Sequence, residues 1–212
     1  MAAYKVLGEA QDSHHGGTGK WRKGQWRTVT GALIPCQSGI HYCRRGQLVQ
    51  WLGPTIWLFE DGTPDETIDH GDKMVTRKGR IVERIETWNE TTARLFAADV
   101  AEAALVYIPE SHRDPFVAAI NAARGFARGE IGDKERAAAW AAARAAAGAA
   151  AWDAAGAAAW DAARAAAWDA ARDAARAAAR AAAWDAAGAA ARDAARAAQT
   201  EILFDYLEGR RT

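Results

Sequence analysis

The sequence contains little that would cross-link, anchor or strongly charge the chain. Its 212 residues include two cysteines, five prolines and two methionines, and 27 basic residues balance 27 acidic ones. A disulfide scaffold requires many more cysteines, and a net charge of zero gives no global attraction to nucleic acid or an anionic membrane. These absences exclude a disulfide-rich fold and disfavour nucleic acid as a partner.

Long uninterrupted apolar runs are also missing. Residues 1–11 include Lys5 and Glu9 and lack the apolar core of a secretory signal peptide. The longest apolar stretches are alanine runs broken by Asp and Arg, which are poorly suited to a bilayer. We therefore expect a soluble, cytoplasmic protein with no membrane partner, in which Cys36 and Cys43 are reduced.

Alanine, by contrast, is abundant and follows a four-residue period. From Ala137 to Ala198, Trp, Arg or Gly occupies every fourth position, with mostly Ala and Asp between. Alanine strongly favours the helix, but four residues overshoot one helical turn by about 40°, so the larger side chains follow a right-handed spiral. Because a spiral needs packing partners on several sides, we predict a long helix, hairpin or bundle that packs or self-associates.

The large apolar groups of this repeat are tryptophans. A packed indole buries about 150 to 250 Å², and the intervening alanines allow helices to approach closely. The predicted packing and assembly residues are Trp152, Trp160, Trp168 and Trp184.

The first 86 residues have an ordinary composition with a strand-like pattern. Tyr4–Leu7 and Thr55–Glu60 alternate apolar and polar residues, and Lys73–Ile85 predicts one or two further strands. Residues 45–52 predict one short helix. We therefore expect a small, mostly β domain over residues 1–86.

Helical spacing begins after this domain. Thr87 and Glu90 form a candidate capping box for a helix over Trp88–Tyr107, and a second helix is predicted within residues 111–132. Asp133 is the predicted N-cap of the alanine helix.

The end of the chain predicts a docked helix. An apolar face there is formed by Ile202, Leu203, Tyr206 and Leu207. The fold class is thus α+β, with a β-rich domain over 1–86, connecting helices over 87–132 and the helical repeat region over 133–212.

One cluster has the residue types of a metal site. The segment CQSGIHYC contains Cys36, His41 and Cys43, whose thiolate and imidazole groups suit zinc. It has no CxxC pair, so the favoured interpretation is a turn beside small buried cysteines and a packed histidine. No cofactor is predicted, with zinc as the alternative.

A second candidate is a glycine-rich segment beside cations and aromatic rings. His14, His15, Lys20 and Trp21, together with His41, could bind a nucleotide-like ligand by charge and stacking. The segment lacks phosphate-loop spacing because Trp21 follows Lys20, and the favoured interpretation is a plain flexible loop.

Two stretches resemble a family of actinobacterial and phage proteins that are labelled immunity proteins. Thr92–Ile131, with ARLFAADVAEAAL and AAINAARGFARGEI, resembles the family's helical region together with the alanine repeat. Residues 5–45, KVLGEAQDSHHGGTGKWRKGQWRTVTGALIPCQSGIHYCRR, resemble the uncharacterised domain that precedes it. The resemblance covers nearly the whole chain, implies toxin neutralisation or phage–host conflict, and brings no catalytic residue.

The leading hypothesis is accordingly a non-enzymatic interaction protein of immunity or phage anti-defence. It would bind a protein partner in the cytoplasm, that of the host if phage-encoded, and form a homo-oligomer through the repeat. One alternative is a protein that binds or degrades a nucleotide signal. Another is a structural or scaffold phage protein.

Self-association through the repeat predicts that the full chain in solution is larger than a monomer. Size-exclusion chromatography with light scattering measures its mass, and electron microscopy would reveal the rings or filaments of a scaffold. A monomer that also captures no partner protein would contradict the leading hypothesis.

Overall fold

The computed structural model of the chain describes residues 2–14, 19–108, 110–139, 141–142 and 193–212. They fall into two compact units. The first unit is Met1–Ala93 with Arg196–Thr212, and the second is the described part of Arg94–Ala195. The predicted assembly residues lie outside the described residues; they are Trp152, Trp160, Trp168 and Trp184. His15 also lies outside the described residues.

The first unit is built on an antiparallel sheet, as the strand patterns predict, and the α+β class is confirmed. In the described residues its seven strands are β1 Ala3–Leu7, β2 Arg27–Thr28, β3 Ile40–Arg44, β4 Thr55–Asp61, β5 Ile68–Asp69, β6 Met74–Thr76 and β7 Lys78–Arg84. Their order across the sheet is β2-β7-β4-β1-β3-β6-β5.

The central strand β1 is paired very differently on its two sides. It pairs with β4 along its whole length, from Ala3 opposite Phe59 to Leu7 opposite Thr55. Its pairing with β3 covers only Ala3 opposite Arg44 and Tyr4 opposite Cys43. From Lys5 onward β1 and β3 are therefore no longer paired, and this opening positions the candidate site.

An aromatic cluster fills the core beside this opening. Tyr42 stacks on Phe59 with ring centroids 4.8 Å apart, and Trp21 meets Phe59 edge-on at 6.2 Å. The indole N–H of Trp21 donates to the hydroxyl of Ser13 at 3.2 Å, so the polar tip of this buried ring has a partner. Side chains from a loop, β3 and β4 are thus held in one cluster.

A helix over residues 193–207 closes the first unit, as its apolar face predicts. Leu203, Tyr206 and Leu207 are buried, whereas Ile202 is only half-buried. Phe204, which the predicted face omitted, is 1% exposed. Phe204 is buried because the face that this helix turns toward the sheet is wider than the single apolar stripe predicted from the sequence.

Polar contacts hold this C-terminal helix in place. Arg45, in the short helix α1 (Arg45–Leu48), lies 3.8 Å from the centre of the Phe204 ring. The same guanidinium pairs with Glu201 at 3.1 Å and with Glu208 at 3.3 Å. Because these pairs are partly exposed, most of the stability comes from the buried apolar face.

The helix after the sheet begins two residues later than predicted and has another cap. α2 spans Glu90–Ala103, and Asn89 and Thr92 exchange side-chain and backbone hydrogen bonds of 3.0 and 3.1 Å. The hydroxyl of Thr87, the predicted cap, instead donates to the carbonyl of Leu207 at 2.7 Å. The Thr87 hydroxyl thus bonds to a residue distant in sequence and does not cap the helix.

The second unit pairs α2 with α3, Asp114–Ala127. A 3₁₀ turn, Ala104–Tyr107, extends α2, and a further helix covers residues 133–139. Asp133, the predicted N-cap, is its first helical residue. The guanidinium of Arg124 bridges the two longer helices, 2.6 Å from both Asp99 and Glu102. None of the described helices combines the length and apolarity needed to cross a membrane.

Phe204→Ala should destabilise the first unit by about 3 to 5 kcal/mol, because it empties a fully buried aromatic site. Glu201→Ala on the same helix, which removes one exposed ion pair, should cost less than about 1 kcal/mol. Urea unfolding of the full chain measures both changes. Equal effects would show that the helix is not part of this core.

Candidate ligand-binding site

A cavity of about 580 Å³ lies in the first unit where β1 and β3 separate. Side chains from β1, β2, β3 and four loops line it. This volume is within the range of small-molecule sites in proteins. The cavity is therefore the natural place to look for ligand-binding chemistry.

The two candidate clusters from the sequence meet at this one cavity. Its lining includes the predicted residues His14, Trp21, Cys36, His41 and Cys43. Lys20 is exposed and is not among the lining residues, and His15 lies outside the described residues.

Three further charged or aromatic lining residues were not predicted: Lys5, Trp51 and Lys73. The lining also includes Arg27, one of the cations that the sequence interleaves with Trp21 and Trp26 and that are candidates for nucleotide binding. Lys5 did carry a signal in the sequence. It alternates with Ala3 and Leu7, which pack in the core, so the strand period points it inward. A charged residue at an inward position of a short strand marks a functional candidate.

Lys5 occupies the opening between β1 and β3. Its ammonium donates a 2.6 Å hydrogen bond to the carbonyl oxygen of His41. The ammonium lies 5.2 Å from the centre of the Trp21 ring, and the Arg27 guanidinium lies 4.7 Å from that ring. Burial lowers the pKa of Lys5 to about 8; Cys43 opposes this shift and Arg27 reinforces it.

Lys73 is a second cation at the cavity, in a different setting. Its ammonium is 3.5 Å from the Asp72 carboxylate and 4.3 Å from the centre of the Trp51 ring. Burial alone would lower the pKa of Lys73, but hydrogen bonding to Cys36 and the charge of Asp72 raise it above its ordinary value. Lys73 is therefore protonated and positively charged at pH 7.

His41 is held as a neutral ring. Burial, followed by the charges of Lys5 and Lys73, lowers its pKa. Its Nε2 accepts the backbone N–H of Cys36 at 3.1 Å, which assigns the proton of the neutral imidazole to Nδ1.

A tight turn presents Cys36 to this ring. The carbonyl of Ile34 accepts the N–H of Gln37 at 3.0 Å, and Cys36 has a φ of 65°. With Pro35 at the second position, this is the pattern of a type II turn, whose third position usually holds glycine. The turn holds the Cys36 backbone against His41.

The zinc hypothesis gains no support from these contacts. Burial raises the pKa of the Cys43 thiol to about 12, so Cys43 is a neutral thiol at pH 7. Within the described ranges, no three His, Cys, Asp or Glu side chains group so that they could hold a metal ion. Cys43 is buried, Cys36 is exposed, and both line the cavity.

The charge of the lining has one sign. It contains Lys5, Arg27 and Lys73 but no aspartate or glutamate. Among the residues that the structure describes, Lys5 and Arg27 form no ion pair with a carboxylate. Two indole rings lie beside these cations, so the cavity combines positive charge with aromatic surface.

No protein-family model, curated protein or solved structure matches the chain. The resemblance to immunity proteins, and the interaction function that it implies, therefore stay predictions.

Lys5→Met should raise the free energy of unfolding at pH 7 by about 1 kcal/mol, because it removes a cation that folding desolvates. The pKa of Lys5 is about 8 in the folded state and 10.5 ordinarily, so as the pH rises the folded chain loses this proton before the unfolded chain does. The destabilisation caused by the Lys5 charge is complete below pH 8 and disappears as the pH rises toward 10.5. The advantage of Lys5→Met should shrink over that interval.

Lys73→Met is the matched control. Folding raises the pKa of Lys73, so its charge stabilises the native state and its removal should destabilise the fold at pH 7. Urea titrations at pH 7 and pH 9.5 measure both variants. Loss of stability in Lys5→Met equal to that in Lys73→Met would contradict this assignment.

Proposed function

We propose that the first unit binds a small organic anion that carries a flat conjugated group. Nucleotides, the ligand class suggested by the sequence, are one such class. The observation that carries the proposal is the lining itself: Lys5 and Arg27 face a cavity of about 580 Å³ without a lining carboxylate to neutralise them. A bound anion would supply that missing charge.

The cations and rings divide the recognition between them. The guanidinium of Arg27 offers forked donors for a carboxylate or phosphate, and Lys73 adds a fixed charge from another loop. Half-buried Trp51 provides a surface for a flat group to stack on, and buried Trp21 supports Arg27 from below. The cations favour a negatively charged ligand, and the Trp51 ring favours one that carries a flat group.

The histidines support binding more than degradation of the ligand. The Nε2 of His41 already accepts a backbone hydrogen bond, and its lowered pKa keeps the ring neutral. The ring of His14 packs closely against Gly53, because a Cβ there would lie 2.7 Å from His14 Cδ2. Both rings are more constrained than a proton-transfer group that must approach a substrate.

The interaction function predicted from the repeat is the second candidate. A groove of about 960 Å³ in the second unit favours it, with a lining formed largely by alanine and by apolar side chains of α2 and α3. Examples are Ala97, Ala101, Phe116 and Ile120. Apolar surface of this kind is common at protein–protein contacts.

Anionic ligands should raise the melting temperature of the full chain in differential scanning fluorimetry. The panel comprises nucleoside phosphates and aromatic carboxylates, with uncharged nucleosides as the charge control. An anion at a hundredfold excess over its Kd adds about 2.7 kcal/mol of stability. No shift with any anion would refute the proposal.

Arg27→Gln should weaken the best anion by about tenfold or more, because it removes a charge-assisted contact. Arg22→Gln is the matched control, since Arg22 belongs to the same segment but is exposed and outside the lining. Isothermal titration calorimetry compares the two variants. Equal losses of affinity would place the anion outside this cavity.

A further inference from the structure

Lys5 has contacts unlike those of the other lysine in the cavity. Its amine has one hydrogen-bond acceptor in the described structure, the neutral carbonyl oxygen of His41. A second cation, Arg27, lies over the same indole ring. Lys73, in contrast, has the Asp72 carboxylate beside it. The surroundings of Lys5 therefore favour the neutral amine, and those of Lys73 favour the ammonium.

A lysine held without a counter-ion and next to another cation is set up as a nucleophile. Its lowered pKa agrees, since a value of about 8 leaves roughly a tenth of the amine unprotonated at pH 7. Arg27 and Lys73 can hold an anionic group while Lys5 remains available to react.

We propose that Lys5 forms a Schiff base with a small anionic aldehyde or ketone held by Arg27 and Lys73. The proposal deepens the proposed function and rests on it, because the carbonyl compound is the anion that the cavity binds. A cavity of about 580 Å³ accommodates such a compound together with a flat ring.

The step balances without another reactant. The neutral Nζ of Lys5 attacks the carbonyl carbon, a C–N bond forms, and the carbonyl π electrons move to oxygen. A proton passes from nitrogen to oxygen through water to give a carbinolamine. The nitrogen lone pair then expels hydroxide, which takes a proton from solvent and leaves as water, and the protonated imine remains. One water is released for each imine formed.

Reductive trapping tests the proposal on the full chain. The probes are pyridoxal 5′-phosphate, an aromatic aldehyde phosphate, and glyoxylate, a small carbonyl acid. Sodium borohydride reduces any imine to a stable secondary amine, which peptide mapping with fragmentation assigns to one nitrogen. We expect Lys5 to be labelled about tenfold or more faster than the exposed Lys20 at pH 7.

The controls separate a bound carbonyl from general amine reactivity. Pyridoxine 5′-phosphate lacks the aldehyde and should protect Lys5 but not the α-amino group of the chain, whose ordinary pKa is also near 8. Lys5→Arg keeps the charge and should abolish the label, while Lys20→Arg should not change it. Unfolding curves check that both variants fold.

The labelling map of the unaltered chain decides the question even if Lys5→Arg does not fold. Labels spread evenly over the lysines, or a Lys5 label that the competitor leaves unchanged, would overturn the proposal. If Lys5 stays unlabelled while aromatic phosphates still raise the melting temperature, only the imine is refuted. If neither occurs, the anion-binding function fails as well.

Discussion

The unequal pairing of β1 is the constraint on which the candidate site depends. Its hydrogen bonds to β4 run the length of the strand, but those to β3 end after Tyr4 and Cys43. Backbone polar groups beyond that point need other partners. The carbonyl of His41 finds one in the ammonium of Lys5. A lysine side chain thus replaces part of a strand ladder, and the space left between the strands becomes the cavity.

The buried lysine at this position lowers the stability of the fold. A cation that folding desolvates disfavours the native state, and the lowered pKa of Lys5 expresses that cost. The neighbouring indole recovers part of it through its electron-rich face. Lys73 is also buried, but Cys36 and Asp72 stabilise its charge by more than burial disfavours it. The charges of the two lysines in this cavity thus have opposite effects on stability. Lys5, whose charge destabilises the fold, is the one proposed to react with a ligand.

Local patterns in the sequence predicted the elements but not the partners that bring the site together. Alternation located β1 and β4, and helical spacing located α2, α3 and the apolar face that buries Leu203. Thr87 was assigned a local cap because no local rule reveals its bond to a residue 120 positions away. Lys73 was missed for the same reason, since its place beside Trp51 depends on a fold that spacing does not encode. The sequence predicted the cysteine and histidine cluster, but the burial that raises the pKa of Cys43 depends on the fold and could not be predicted from spacing.

The balanced charge of the chain conceals a local imbalance. Equal totals of 27 basic and 27 acidic residues argue against a polyanion partner, because long-range attraction depends on net charge. A small ligand, however, experiences the charges that line its own cavity, where solvent screening is weak. Several basic residues elsewhere in the described chain have acidic partners, as Arg45 has Glu201 and Arg124 has Asp99. Lys5 and Arg27 share an indole instead of a carboxylate, so the cavity remains positive inside a neutral molecule. The proposed anion would meet this excess charge only on entering the opening between β1 and β3, which a bulky nucleic acid duplex could not do.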